Sequence, residues 1–294
     1  MKFSFSPTHE VTSPYSIVWG ADKNLWFTAN KANVIANLTL DGSIIKHPIP
    51  TPNSGATLIA SAKSGIYFTQ YQSNKIGYIS YDDSISEYSI ADNCAPYGIA
   101  IDDEAIVWFT CMSSNQIGRM AGKEVEYFDV PTPASYPSFI TFGYDGALWF
   151  SENQGNKIGR ITKNADITEF SLPSQDSAPV GIAACKSGIW FTEIMGNRIG
   201  KIDYDGKINE YDIPTANAKP HAIAVSDDGH VAFSEWGANK IGVITPDGKV
   251  SEYDIPAQYN EPHGIVFDAQ GAIYFALESG AIGKLIVAQL PLFS

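Results

Sequence analysis

The residues in this sequence best suited to acid–base chemistry are two histidines in matching phrases near carboxylates. His221 lies in residues 219–223 (KPHAI) and His263 in residues 261–265 (EPHGI). A neutral imidazole accepts protons near physiological pH, and a carboxylate beside it can orient the ring or hold a cation. The spacing of the two phrases indicates which elements must position these side chains.

Each phrase belongs to a repeat that covers the chain. A proline followed by an isoleucine three residues later recurs at Pro14, Pro96, Pro137, Pro179, Pro220 and Pro262, with Ala56 in the second copy. The steps between copies are 42, 40, 41, 42, 41 and 42 residues. A period this regular indicates one closed repeat array, so we expect residues 1–294 to form a single domain.

Each repeat reads as four short strands. An apolar strand follows the proline, an aromatic pair such as Trp149-Phe150 marks the second, and an Ile-Gly pair such as Ile158-Gly159 marks the third. A Glu-aromatic segment marks the fourth, and Asp-Gly turn signals precede it in several copies. The pattern predicts an all-β fold, a seven-bladed β-propeller with four antiparallel strands per blade.

The two ends of the chain predict how the propeller closes. The last repeat has no fourth strand, whereas residues 2–6 (KFSFS) precede Pro14 at the spacing of a fourth strand. We therefore expect the N-terminal strand to complete the last blade and to leave no open edge. Closure within one chain also favours a monomer.

The residue after each proline is expected to line the central axis at one end of the propeller. Round the ring these residues are Tyr15, Thr57, Tyr97, Ser138, Val180, His221 and His263. The two histidines fall in adjacent blades, and Tyr15 comes next. His9, His47 and His230 lie outside this ring and are expected to be structural or exposed.

Two carboxylates set the last repeat apart. Glu261 stands before Pro262, where no other copy has an acid, and Glu278 follows the second strand of the same blade. Two hard oxygen donors near one histidine form a partial site for Mg²⁺, which keeps several waters. These residues alone leave Ca²⁺ and Mn²⁺ open.

Composition excludes several other functions. The net charge of −13 argues against a nucleic-acid partner. No apolar run suggests a signal peptide or a membrane span, so we expect a soluble cytoplasmic protein. The three cysteines form no CxxC pair, and neither a disulfide framework nor a zinc cluster is expected. No GxSxG, HExxH or phosphate-binding glycine loop is present.

The phrases around the two histidines resemble the streptogramin B lyases, also called virginiamycin B lyases. The resemblance extends over essentially the whole chain. It is most specific in residues 219–223 (KPHAI), 261–265 (EPHGI), 275–278 (FALE) and 234–240 (SEWGANK). Departures such as Ala56 and Ala232 do not fall on these positions.

The resemblance implies a function and a set of roles. The family linearises cyclic depsipeptide antibiotics of the streptogramin B type by β-elimination at the ester to a threonyl side chain, which confers resistance. It implies that His263 is the general base and that Glu261 and Glu278 hold Mg²⁺. It further implies that His221 and Tyr15 contact substrate, and we expect Trp236 to line the cleft with Tyr97 and Phe139.

Two other functions fit the same residues. A metal-dependent lactonase or esterase would use the carboxylates and histidine to activate water against a cyclic ester. A non-enzymatic binding scaffold is the second alternative, because a propeller fold does not by itself imply catalysis.

Overall fold

The computed structural model describes residues 1–8 and 11–287, and throughout these residues the regular structure is β-strand. Seven four-stranded antiparallel sheets form seven blades. Neighbouring innermost strands contact one another in a closed ring, and the last contacts the first. The predicted seven-bladed propeller is thus confirmed. Among the described residues no helix is long and apolar enough to cross a membrane.

The strands occupy four layers from the axis outward. The innermost strands are β2 (Pro14–Trp19), β6 (Ala56–Ser61), β10 (Pro96–Ile101), β14 (Pro137–Phe142), β18 (Pro179–Cys185), β22 (Pro220–Val225) and β26 (Pro262–Phe267). The second strands are β3 (Leu25–Ala29), β7 (Gly65–Gln70), β11 (Val107–Cys111), β15 (Leu148–Glu152), β19 (Gly188–Glu193), β23 (Val231–Glu235) and β27 (Ile273–Leu277). The third strands are β4 (Val34–Leu38), β8 (Lys75–Ser80), β12 (Gln116–Ala121), β16 (Lys157–Ile161), β20 (Arg198–Ile202), β24 (Lys240–Ile244) and β28 (Ala281–Ile286). The outer strands are β1 (Lys2–Pro7), β5 (Ile44–Pro48), β9 (Ile85–Ser89), β13 (Glu124–Asp129), β17 (Ile167–Ser171), β21 (Ile208–Asp212) and β25 (Val250–Asp254).

The N-terminal strand closes the last blade, as the sequence predicts. β1 pairs antiparallel with β28, with Lys2 opposite Ile286 and Pro7 opposite Ala281. Blade seven therefore takes its outer strand from the start of the chain and its three inner strands from the end. The pairing joins the last blade to the first and covers an edge that would otherwise be free to pair.

The entry to every innermost strand has the same unusual backbone. The residue before the ring proline, or before Ala56 in blade two, has a positive φ in all seven blades, from 49° at Ala95 to 67° at Gly55. The register between the first and second strands then shifts just after this point in every blade, as in a β-bulge. A bulge re-aims the side chains it contains. The ring residues lie in these bulges.

The blades are held together by an apolar core and by hydroxyl groups. Trp108 of blade three packs in one buried cluster with Phe150 of blade four, so aromatic residues of the second strands pack between blades. A Cβ on Gly159 would lie 2.1 Å from the Phe150 ring, so the Ile-Gly pairs make room for that ring. Thr110 donates to the Ser138 carbonyl of the next blade at 2.6 Å, and Thr192 does the same to His221 at 3.0 Å.

Blade three contains a disulfide between Cys94 and Cys111, so the expectation of no disulfide was wrong. In blade four the equivalent positions hold Ser135 and Glu152, whose side chains lie next to each other. The two cysteines replace that polar pair at the end of the second strand. Aligning the repeats would have placed the two cysteines at positions whose side chains are neighbours in other blades. Counting the cysteines could not show this.

Candidate active site

His221 and His263 lie side by side at the mouth of the axial channel, as the ring predicts. Their Nδ1 atoms are 3.4 Å apart and the ring centroids 4.8 Å apart. Both side chains are buried, with 8% and 7% of their surface exposed. They come from β22 and β26, neighbouring innermost strands. The structure therefore brings together the two histidines that the sequence singles out.

Glu278 lies against the opposite nitrogen of His263. Its Oε1 is 3.2 Å from His263 Nε2, while Oε2 is 3.2 Å from both Lys31 Nζ and Ser13 Oγ. The hydrogen bond with His263 and the nearby Lys31 lower the pKa of Glu278 to about 2, although partial burial opposes the shift. Glu278 is therefore an anion that can accept a hydrogen bond from a protonated nitrogen or bind a cation.

Tyr15 and Tyr97 extend the cluster across the channel. Their hydroxyl oxygens are 2.5 Å apart, and Tyr15 Oη is 3.4 Å from His221 Nε2. The Tyr15 ring also packs on His263, with centroids 4.6 Å apart. Burial raises the pKa of Tyr15 well above its ordinary value and raises that of Tyr97 to about 12. Both phenols therefore keep their protons at neutral pH.

His221 has both ring nitrogens engaged within the protein. Nε2 faces Tyr15 and Nδ1 faces His263. Burial and the neighbouring His263 lower the pKa of His221 to about 3, so it stays neutral at physiological pH. In this arrangement a ligand can contact the edge of the His221 ring, while the two ring nitrogens contact neighbouring side chains.

The backbone around the histidines is fixed by close interblade contacts. The carbonyl of His221 accepts the Thr192 hydroxyl, and the amide that follows it, Ala222 N–H, donates to Ser234 Oγ at 3.0 Å. After His263, a Cβ on Gly264 would lie 2.7 Å from the Tyr15 carbonyl oxygen. Glycine there allows blade seven to approach blade one closely enough for Tyr15 to pack on His263.

Trp236 lies at the outer rim of this cluster. Its ring centroid is 6.3 Å from that of His263, and Lys219 Nζ lies 5.3 Å from its ring. The side chain is 39% exposed, and Tyr136 on the same rim is 46% exposed. Large apolar groups left open around a polar cluster are typical of a binding surface.

The channel beneath the cluster is lined by an isoleucine from every blade. A cavity of about 150 Å³ is bordered by Tyr15, His221 and Phe139 above a complete ring of isoleucines, one per blade. These are Ile17, Ile59, Ile99, Ile140, Ile182, Ile223 and Ile265. The proline-to-isoleucine repeat seen in the sequence therefore builds a hydrophobic floor under the histidines.

The two predicted cation ligands adjoin through their backbones. The Glu278 amide donates to the Glu261 carbonyl at 3.1 Å, and the Glu261 side chain is exposed beside the rim. Within the described part of the chain no three or more histidines, cysteines or acids are grouped as a metal site. Carboxylate oxygens, one pair of them on the anionic Glu278, are nevertheless donors that suit a hard cation that keeps its own waters.

The remaining histidines lie away from the channel mouth or outside the described residues. His47 is buried on an outer strand and its Nε2 lies 2.9 Å from Asn37 Oδ1, and His230 Nδ1 lies 2.9 Å from Asp228. Both are structural, as expected. His9 lies outside the described residues.

Sequence reasoning missed three participants in the cluster. Tyr97 was expected to be an apolar wall, yet its hydroxyl is bonded to Tyr15. Ser13 and Lys31 both contact Glu278 and were not singled out. Their signal was available, since Ser13 precedes the ring proline and Lys31 follows the second strand of blade one, next to blade seven.

Fold and site together define a class: a seven-bladed β-propeller with an imidazole–carboxylate centre at one mouth of its channel. Residues 4–285 match the model of the Virginiamycin B lyase family. The chain belongs to this family.

Solved structures agree over nearly the whole chain. The structure of a streptogramin B lyase is 41% identical, covers 96% of each chain and superposes with a TM-score of 0.93. The virginiamycin B lyase of Staphylococcus aureus is 43% identical, with 97% of this chain and 100% of that chain covered and a TM-score of 0.92.

Two further comparisons concern virginiamycin B lyases of S. aureus. A catalytically inactive histidine-to-alanine form, solved with quinupristin, is 42% identical, with 97% of this chain and 99% of that chain covered and a TM-score of 0.92. A curated virginiamycin B lyase of S. aureus is 46% identical over 45 residues. That sequence match spans 15% of this chain and 15% of that protein.

Proposed function

We propose that this protein is a streptogramin B lyase that linearises type B streptogramins and so protects its host from them. The proposal is supported by membership of the family over residues 4–285. It is also supported by the relative at 42% identity, whose inactive histidine variant was solved with quinupristin. The substrate would be a cyclic depsipeptide closed by an ester to a threonyl side chain.

The observation that carries the proposal is the pairing of His263 with His221 and Glu278. Of the two clustered histidines, His263 is the one with a carboxylate against it, 3.2 Å from its Nε2. As general base it takes the proton from the threonyl α-carbon. The electrons of that C–H bond form the double bond to the β-carbon as the ester carboxylate leaves. No water is added, and Glu278 stabilises the imidazolium that results.

We propose that a divalent cation, Mg²⁺ in the first instance, is held by Glu278 and Glu261 with water completing its shell. When bound, it would act as a Lewis acid that stabilises negative charge on the substrate carbonyl. The chain itself supplies the carboxylates. Before a cation binds, contacts with Lys31 and Ser13 keep Glu278 at the rim. Lys31 Nζ lies 3.2 Å from Glu278 Oε2, and a bound cation would take the place of this ion pair.

The surroundings of the histidines suit a large, apolar ligand. Trp236 is exposed at the rim, and a ring of isoleucines lines the channel below the cluster. A ligand seated on the rim would therefore cover the histidines from solvent. Water excluded in this way cannot compete for the ester, which favours elimination over hydrolysis.

We further propose a monomeric protein of the cytoplasm. The seven blades close within one chain, and light scattering of the purified protein tests the monomer. The Cys94–Cys111 disulfide bears on the compartment, because cytosolic proteins seldom retain disulfides. Both cysteines are fully buried, so cells are quenched in acid and the protein is alkylated after denaturation. Labelling of both cysteines supports the cytoplasm, whereas resistance to alkylation contradicts it.

The test of function is turnover of a purified type B streptogramin, followed by chromatography. Wild type should consume the cyclic substrate when Mg²⁺ is supplied and stop when a chelator is added. His263→Ala should lower kcat by roughly 10²- to 10⁴-fold, the usual worth of a general base. His230→Ala is the matched control and should retain activity, because His230 lies in the turn between β22 and β23, at the opposite end of blade six. No turnover by wild type would refute the proposal.

A further inference from the structure

A second cavity, of about 280 Å³, lies between blades five and six at the end of the propeller opposite the histidines. It borders the turns that follow the innermost strands β18 and β22, whereas the two histidines stand at the starts of such strands. Its walls include Trp190, Lys201 and Ser187 of blade five and Asp227, Asp228 and Pro246 of blade six. None of the described residues that border this cavity belongs to the histidine cluster.

In three other blades the tryptophan of the second strand donates its indole N–H to an aspartate in the turn beside it. The pairs, at 2.9 to 3.1 Å, are Trp26 with Asp22, Trp108 with Asp102 and Trp149 with Asp145. In blade four the carboxylate of Asp145 also accepts from Arg160 Nε at 2.7 Å. An indole N–H and a cation therefore converge on one carboxylate in that blade.

Blade five keeps both of these donors. Trp190 occupies the position of Trp149 in the second strand. Lys201 lies opposite Trp190 in the strand pairing, as Arg160 lies opposite the tryptophan of blade four. Lys201 Nζ is 5.2 Å from the centre of the Trp190 ring and donates to Ser187 Oγ at 2.9 Å.

Blade five lacks the carboxylate because its turn is shorter. Two residues, Lys186 and Ser187, connect its paired strands, whereas three form the turn of blade four, with Asp145 in the middle. Trp190 is 7% exposed, and in the described part of the chain its N–H has no acceptor and Lys201 forms no ion pair. A buried donor without an acceptor is destabilising and favours a ligand that supplies one.

The neighbouring blade leaves room for such a ligand. Between blades four and five, the hydroxyl of Tyr204 accepts from the Tyr144 amide at 3.0 Å and donates to the Cys185 carbonyl at 2.7 Å. Tyr204 stands two residues after the third strand of blade five, and Pro246 stands at the same position in blade six. Proline has no aromatic ring or hydroxyl to close the interface, so the cavity lies open beside Trp190.

We propose that this cavity binds a small monocarboxylic acid, whose carboxylate accepts from Trp190 Nε1 and Lys201 Nζ. The ligand takes the part that Asp145 plays within blade four. A single negative charge is favoured because Asp227 and Asp228 belong to the blade-six wall, where a second carboxylate would be repelled. Binding here does not depend on the proposed elimination.

The test follows the indole ¹H–¹⁵N signals of the full-length protein during titration with butyrate at constant ionic strength. The Trp190 signal, assigned by its loss in Trp190→Phe, should shift downfield and saturate with a Kd on the order of 1 mM, as expected for a ligand of few atoms. The Trp149 signal should stay in place, because Asp145 already accepts its N–H. A Trp190 signal that does not move, or that moves together with that of Trp149, would overturn the proposal.

Two related compounds test the class of ligand. Butyramide has nearly the same shape without the charge, and succinate carries a second carboxylate. Each should bind at least about 10-fold more weakly than butyrate, because a charge-assisted hydrogen bond is lost or a repulsion is added. Equal affinity for butyramide would overturn recognition of a carboxylate, and equal affinity for succinate would overturn the restriction to one charge.

Variants of blade five test the two donors. Lys201→Met keeps an unbranched side chain and should raise the Kd for butyrate about 10-fold, whereas Lys201→Arg, the control, should stay within about threefold of wild type. Ser187→Asp puts a carboxylate beside Lys201 and should abolish the response to butyrate, with the other indole signals unchanged. An unchanged Kd in Lys201→Met would contradict the assigned site.

Discussion

Replacing Glu152 with Gln should stabilise the protein at neutral and alkaline pH. Glu152 ends β15 with no exposed surface, and neither carboxylate oxygen has a partner among the described residues. Burial, and secondly the charge of Glu169, raise the pKa of Glu152 from 4.5 to about 8. The folded protein therefore holds this side chain as a neutral acid, and Gln70 occupies the equivalent position in blade two.

The magnitude follows from linkage between folding and protonation. The pKa of Glu152 is higher in the folded protein than in the unfolded chain. Its contribution to stability is therefore complete below pH 4.5 and is lost as the pH rises through about 8. At about 1.36 kcal/mol per pKa unit, the full loss is roughly 5 kcal/mol, and about 3 kcal/mol of it has occurred at pH 7. Glutamine is neutral at every pH and avoids this loss.

The assay is urea unfolding of wild type and Glu152→Gln at pH 4.5, 7 and 8.5. We expect the two free energies of unfolding to agree within about 1 kcal/mol at pH 4.5 and to diverge above it, with the variant more stable by up to about 3 kcal/mol at pH 7. Glu193→Gln is the comparison, because Arg198 lies 3.0 Å from Glu193 and offsets part of its burial. Its gain should be smaller.

A lower free energy of unfolding for Glu152→Gln than for wild type at pH 8.5 would refute the reasoning. That outcome would mean that Glu152 is ionised in the folded protein and held by a cation, with Lys157 the nearest candidate. Equal pH dependence in the variant and wild type would also contradict it, because the titrating group would then lie elsewhere.

Three further predictions concern the site and its frame. Thr192→Val removes the 3.0 Å hydroxyl bond to the His221 carbonyl and should lower kcat by roughly 3- to 10-fold, with Thr192→Ser as the control that restores it. Cys94→Ser with Cys111→Ser opens a disulfide that spans 17 residues and should lower the free energy of unfolding by about 3 kcal/mol, measured in urea; no change would mean that the thiols are already reduced. Glu278→Gln should abolish the stimulation of activity by Mg²⁺, followed by titration with Mg²⁺; unchanged metal dependence would place the cation elsewhere. The variant should also lack the stability that wild type loses as the pH falls from 4.5 through about 2, followed by titration with acid.

Much of the fold could be predicted because the sequence repeats it seven times. The prolines from Pro14 to Pro262 mark the innermost strands, and the lone N-terminal strand had one place left to pair. The ring position of His221 and His263 follows from the same period. Each blade contributes one residue to the axis, so sequence spacing becomes spatial order.

The remainder depends on contacts between blades that no spacing shows. Tyr97 meets Tyr15 across the channel, and Lys31 of blade one reaches Glu278 of blade seven. The sequence identified Glu278 and His263 but could not show that the carboxylate bonds to Nε2, nor that both nitrogens of His221 are engaged. These facts depend on rotamers and on the bulges at the strand entries. The disulfide was missed because the cysteines were counted and not placed within the repeat.

The central claim is elimination with His263 as the base, and the mass of the product tests it most directly. A purified type B streptogramin would be treated with the wild-type enzyme and Mg²⁺ in water enriched in ¹⁸O, and the product analysed by mass spectrometry. The account predicts a ring-opened product of unchanged mass, with no ¹⁸O, that is not formed by His263→Ala. A product heavier by one molecule of labelled water would show hydrolysis and contradict the account.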